Sequence, residues 1–197
     1  MCRSKYIRAQ DFVPLRNVLC PTENFMPLHN ICAPTQHNNM HVIMNDDAFI
    51  KKGFQISTDK TLLDFELMYK YLNGDSYWAK GIPEERLKNA IENSICFGVY
   101  KQNKQVGLAR VVTDKATFAY ICDVFILPGQ RGFGLSKWLM QTIITYPELQ
   151  GLRRWSLATA DAHGLYSQFG FTPLSRPENW MEKFNPYQPL KKEEGQS

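Results

Sequence analysis

Apolar residues in this chain follow two rhythms, one alternating and one helical, and both begin only at about Gly53. Residues 54–57 read as a short first strand. A helix follows, carrying Leu62, Leu63, Phe65, Leu67, Met68 and Leu72, with Asp59 or Thr61 as its cap and Asn73-Gly74 as its end. Ile82-Pro83-Glu84-Glu85 has the composition of a second helix start, and Leu87, Ala90, Ile91 and Ile95 supply its buried stripe. Three strand-like runs come next. Residues 96–100 and 106–113 flank a turn at Gln102-Asn103-Lys104, and residues 117–127 lead into a glycine-rich loop. Leu135, Trp138, Leu139, Thr142, Ile143 and Tyr146 predict a helix that stops before Pro147. Residues 155–160 read as a strand, 162–169 as a short helix capped by Asp161, and Phe171 onward as the last sheet segment.

The flanks differ from this ordered stretch. Residues 1–45 hold prolines at 14, 21, 27 and 34 with no sustained periodicity and read as an irregular extension. Residues 191–197 are charged and poor in apolar side chains, and are expected to form a disordered tail. Residues 46–190 are then one domain, which a chain of 197 residues with 44% hydrophobic content can furnish with a core.

Composition narrows the function classes. A net charge of +4 with scattered basic residues gives no footprint for nucleic acid. No segment has the continuous apolarity of a membrane span and the N-terminus lacks a secretory core, so the expected compartment is the cytoplasm, with no membrane partner. Five cysteines in no tight pair read as reduced thiols. Cys20, His29, Cys32, His37 and His41 match no compact zinc pattern, so no metal is expected. Cys122 has no histidine nearby in sequence to activate it as a nucleophile.

The chemistry concentrates where the third strand run meets the next helix, at Ile126-Leu-Pro-Gly-Gln-Arg131-Gly132-Phe133-Gly134-Leu135-Ser136. Glycines there allow close backbone approach, and the first turn of a helix offers unpaired N–H groups and a positive dipole end to an anion. Two common phosphate loops fail on their side chains: Leu135 stands where a P-loop needs lysine, and Lys137 where the dinucleotide fingerprint needs a third glycine. The pattern Arg/Gln-x-x-Gly-x-Gly/Ala is met by Arg131 and Gly134, with Ser136 in place of the last small residue. Downstream, Leu165-Tyr166-Ser-Gln-Phe-Gly170-Phe171 places a tyrosine shortly before a Gly-Phe pair.

Together these two motifs resemble the GNAT superfamily of N-acetyltransferases over roughly residues 55–185. The resemblance implies an α/β (mixed α+β) GNAT fold, a mixed central sheet flanked by helices, with a splayed-strand cleft for acetyl-CoA as co-substrate. It assigns backbone pairing with the pantetheine to Val124, Phe125 and Ile126, and the pyrophosphate to Arg131, Gly132, Phe133, Gly134, Leu135 and Ser136. Tyr166 matches the family's catalytic tyrosine, the acid that protonates the departing thiolate. Asp123 interrupts an apolar strand and is read either as a general base or as a hydrogen-bonding anchor. Tyr77, Trp78 and Tyr120 are placed at the acceptor end as substrate-binding aromatics, and His163 on the solvent side of its helix. The expected activity is acetyl transfer to a primary amine, a small molecule by preference. A protein or peptide acceptor, a noncatalytic acyl-CoA-binding regulatory module and a homodimer all stay open.

Overall fold

Among the described residues five strands form one sheet in the order in which the chain makes them, β1-β2-β3-β4-β5. The computed structural model describes residues 46–187, all within the unit His41–Ser197. The expectations for residues 1–45 and 191–197, including the zinc and disorder readings, lie outside the described residues.

A short helix α1 (Asp46–Ile50) precedes β1 (Phe54–Ser57). The first predicted helix is broken in two. Asp59 accepts the Thr61 N–H at 2.9 Å and caps a single 3₁₀ turn, leaving Leu62 exposed. Asp64 then accepts the Leu67 N–H at 3.0 Å and starts α2 (Phe65–Lys70), because a carboxylate at that point satisfies the orphan donors of a new helix better than it continues the old one. A wide turn over Tyr71–Asp75 follows. The second predicted helix is α3 (Glu84–Glu92) behind Pro83; Ile95 is not on it but begins β2 (Ile95–Lys101).

β2 and β3 (Lys104–Thr113) form a hairpin whose two turn residues, Gln102 and Asn103, have φ of 48° and 64°, the left-handed pair that a two-residue turn matched to strand twist requires. β4 (Phe118–Ile126) runs antiparallel to β3. After the glycine loop, α4 (Leu135–Ile144) buries Leu135, Trp138, Leu139, Met140 and Ile143, and the ring of Trp138 stacks on Phe49 at 4.5 Å.

β5 (Arg154–Leu157) is parallel to β4 and ends three residues earlier than the sequence suggested, because its pairing stops at Ile121↔Leu157. α5 (His163–Tyr166) and a 3₁₀ turn replace the longer helix expected over 162–169. Asp161 is not its cap: the Ala162 N–H donates to Thr159 Oγ1 at 3.0 Å. No described residue from Phe171 onward is in a strand, which corrects the last predicted element. Pro173 and Pro177 lack the N–H that a ladder needs, and the segment is mostly exposed, pinned where Trp180 lies 5.1 Å from the Arg154 guanidinium.

The core lies on both faces of the sheet. Phe97, Val99, Val111, Ala119 and Ile121 pack with α1 and α4 on one face; Cys96, Leu108 and Phe125 pack with Met68, Leu72 and Leu87 on the other. Burial on both faces is why β2 and β3 read as continuous apolar runs instead of alternating ones.

Candidate active site

β4 carries a bulge that decides which side its polar residue faces. Arg110 pairs with Cys122 and Leu108 with Phe125, so two β4 residues, Asp123 and Val124, oppose one on β3. Asp123 takes up the slack in a left-handed conformation, φ 52°. With strict alternation it would share the face of Ala119 and Ile121, under α4. The extra residue instead lets the carboxylate meet Arg110 Nε at 2.8 Å and Trp78 Nε1 at 3.2 Å. Asp123 is buried and Arg110 largely so.

The same stretch is where the sheet opens. β4 continues from Cys122 to Ile126 beyond its last partner on β5, with β3 beside it and, among the described residues, no strand on its other edge. At its end a 3₁₀ turn over Pro128–Gln130 leads to Gly132 (φ 85°) and Gly134 (φ 81°), conformations that favour glycine, and Gly134 is the residue on which α4 starts. Among the described residues the N–H groups of Gly132, Phe133, Gly134, Leu135 and Ser136 donate to nothing in the protein, and a Cβ on Gly132 would meet no atom within 4 Å. Five unpaired donors at the start of a ten-residue helix, with open space at Gly132, can serve as an anion cradle, and beside it an open strand edge offers pairing to amides; these residues fit acetyl-CoA.

Not every predicted cofactor contact behaves alike. Phe125 and Ile126 bury their side chains in the core; the Phe125 carbonyl lies on the β3 side, close to Gly107, which leaves the backbone of Val124 and Ile126 as the candidates at the cleft edge. Arg131 turns its side chain back, with Nε donating to the Ile126 carbonyl at 3.0 Å and Nη2 to the Tyr71 hydroxyl at 3.1 Å; its own N–H donates to the Pro128 carbonyl. It braces the loop. Phe133 is exposed and tilts over Phe54 with centroids 6.2 Å apart. Lys101, which nothing in the sequence singles out, brings its ammonium to the loop, 3.3 Å from Gln130 Oε1 and 5.7 Å from the Phe133 ring.

Tyr77, Trp78, Tyr120, Asp123, Val124 and Tyr166 all line a single cavity of about 680 Å³, although they come from residues up to 89 apart in sequence. Tyr77 and Trp78 meet edge to face at 4.9 Å. Tyr166 is buried, with Phe171 against it at 6.1 Å. Burial first, then the nearby Tyr77 and Asp161, push its phenol up to about 12. Tyr77 accepts the Ala160 N–H at 3.0 Å and donates to Asp161 Oδ1 at 3.4 Å, which ties the loop after β5 to the turn before α3. Cys122 also lines the cavity, but burial followed by the charge of Asp123 pushes its thiol up to about 12, so it stays protonated and a poor nucleophile. Arg86, Arg110 and Asp161 complete the charged lining; sequence reading missed the first two and took the third for a cap. A larger groove, about 910 Å³, runs along β5 beside Trp180 and shares no lining residue with this cavity.

Residues 65–171 match the model of the acetyltransferase (GNAT) family, and the chain belongs to that family of acetyl-CoA-using acyltransferases. It is 35% identical over 148 residues, 64% of this chain and 82% of the other, to a Gibberella zeae protein named as an acetyltransferase. The crystal structure of a GNAT-family protein from Xanthomonas campestris is 51% identical, with a TM-score of 0.66 over 68% of this chain and 94% of that one. A Staphylococcus aureus structure at 21% identity and TM-score 0.56 shares the fold. Among the described residues no helix is long and apolar enough to cross a membrane.

Proposed function

We propose that the chain transfers acetyl from acetyl-CoA to a primary amine of a small molecule, by direct attack within a ternary complex. The observation that carries this reading is the aromatic cavity of about 680 Å³ beside the open edge of β4, with Tyr166 in its wall. Its volume suits a small organic molecule, and its lining sets aromatic walls beside charged and amide side chains that could orient one.

Bound acetyl-CoA supplies an activated thioester, whose C–S bond breaks as the acceptor's C–N bond forms. The N–H groups from Gly132 to Ser136 hold the pyrophosphate, with the α4 dipole behind them and Lys101 nearby. At the open edge of β4 the backbone of Val124, and of Ile126 where its carbonyl is shared with Arg131 Nε, would pair with the pantetheine amides, and the N–H near Val124 would polarise the thioester carbonyl. Tyr166 donates its proton to the leaving sulfur. Its raised pKa keeps the phenol protonated throughout the neutral range, so the donor is always loaded.

Asp123 acts as the anchor of its two earlier readings. Arg110 and Trp78 occupy both carboxylate oxygens, which leaves it holding the bulge and the acceptor wall in place, away from proton abstraction. The amine's proton leaves through solvent.

The test is kinetic and calorimetric. Thiol release with a panel of small primary amines is expected for the wild type, and Tyr166→Phe is expected to bind acetyl-CoA normally while turning over slowly. A folded wild type that binds acetyl-CoA but releases thiol with no amine would overturn the enzyme reading in favour of a binding module.

A further inference from the structure

The charges in the acceptor cavity are unevenly satisfied. Four charged side chains line it: Arg86, Arg110, Asp123 and Asp161. Arg110 and Asp123 neutralise each other at 2.8 Å. Asp161 stands beside the loop before Tyr166 and accepts from the Tyr77 hydroxyl. Arg86 is different. Among the described residues it makes no ion pair and no hydrogen bond, although two carboxylates adjoin it on α3. Glu84 and Glu85 instead turn to Lys88, at 2.7 and 3.6 Å. Arg86, Asn89 and Ala90 follow at helical i, i+3 and i+4 spacing, so one face of α3 fronts the cavity with a guanidinium and an amide.

The cavity is therefore dipolar, negative beside Tyr166 and positive on the α3 side. An acceptor whose amine points to Tyr166 presents its other end to Arg86, across walls formed by Tyr77, Trp78 and Tyr120. Resting on the amine-acceptor reading above, we propose that this acceptor carries a carboxylate as well as its amine, an amino-acid-like molecule, and that Arg86 binds the carboxylate. A guanidinium presents two parallel N–H donors that match a carboxylate, and the Asn89 amide adds a third. One unneutralised cation balances one negative charge. That suits a carboxylate and falls short of a phosphate dianion. The aromatic walls between the two poles are placed to take an apolar side chain.

Thiol release with matched pairs that differ only by the carboxylate tests this: phenylalanine with phenethylamine, tryptophan with tryptamine, and arginine with agmatine. Wild type is expected to favour the amino acid of at least one pair by about tenfold or more in kcat/KM. Arg86→Gln is expected to erase the preference by raising KM for that amino acid about 10- to 100-fold with kcat little changed, the range for losing a charge-assisted hydrogen bond. Arg86→Lys should keep part of it. Circular dichroism establishes that the variants fold, as their exposed position on α3 leads one to expect. Equal or better turnover of the decarboxylated amines by wild type, or an undisturbed preference in Arg86→Gln, overturns the carboxylate proposal and leaves amine acetylation standing. Turnover of no member of any pair, by protein that binds acetyl-CoA, overturns the amine reading and the carboxylate with it.

Discussion

Arg110 Nε stands 2.8 Å from Asp123 Oδ2, although the β4 residue directly opposite Arg110 is Cys122. The offset is the bulge itself: one extra residue on β4 brings a neighbouring carboxylate into reach of a guanidinium that also donates to the Ala90 carbonyl and to Ser94 Oγ, each at 3.4 Å. The ion pair therefore links the bulge, the hairpin and α3.

Removing one partner leaves a buried charge alone. Arg110→Met is expected to destabilise the fold by about 3–5 kcal/mol, whereas adding Asp123→Asn to it should recover much of that loss, since asparagine tolerates the left-handed backbone and carries no charge. Urea unfolding of the single and double variants measures the coupling. Strictly additive losses would show that the two side chains are energetically independent.

Tyr166→Phe removes the proposed proton donor and little else. The expected result is a kcat lower by about 10²- to 10⁴-fold with an unchanged calorimetric Kd for acetyl-CoA. Because the phenol is pushed up to about 12, wild-type kcat should show no loss from deprotonation of this donor up to about pH 10. A decline in kcat near neutral pH that vanishes in Tyr166→Phe would contradict the shift.

Tyr100 is the buried hydroxyl without a partner among the described residues. Gly98, two residues earlier on the same face of β2, leaves room for its ring, where any Cβ would collide with it. An unpaired buried hydroxyl is a liability, so Tyr100→Phe is expected to stabilise by about 1 kcal/mol, read as a higher urea midpoint. Burial, ahead of the charges of Asp59 and Cys96, also pushes this phenol up to about 12. The folded chain thus holds the proton more tightly than the unfolded one, whose phenol ionises near ~10. The stability this confers is complete below about pH 10 and drains as pH rises toward 12, so unfolding at high pH should be less steep in the phenylalanine variant.

Gly134→Trp is expected to abolish the heat of acetyl-CoA binding, since it strains a left-handed residue and places a bulky side chain where α4 begins. Gly129→Ala in the same loop meets no atom within 4 Å and needs no left-handed backbone, so it serves as the control that binds normally. Loss of binding in both would point to general loop damage and away from a cradle at Gly134.

The parts of the site that were legible in the sequence depend on local spacing. A glycine pair entering a helix, or a tyrosine four residues before Gly170, keeps its meaning wherever the strands fall, and Tyr77, Trp78, Tyr120, Asp123, Val124 and Tyr166 do meet in one cavity. Arg110 carries no such mark. In sequence it is one basic residue in an apolar run, and its role exists only because the register and the bulge bring it to Asp123. Arg86 is likewise one of several charges on α3 until the Lys88 pairing of its neighbours leaves it apart. The broken first helix and the absent last strand failed for a common reason: a side-chain cap at Asp64 and missing donors at Pro173 and Pro177 outweigh apolar periodicity.

The proposed cofactor side is made almost entirely of main-chain groups: five N–H donors and the open edge of one strand. The proposed acceptor side is made of side chains, on α3, on the turn before it, on β4 and on the loop after β5. Substitution can replace every acceptor contact without touching an amide of the cradle, so a lineage descended from this chain can change what it acetylates while inheriting the acetyl donor intact.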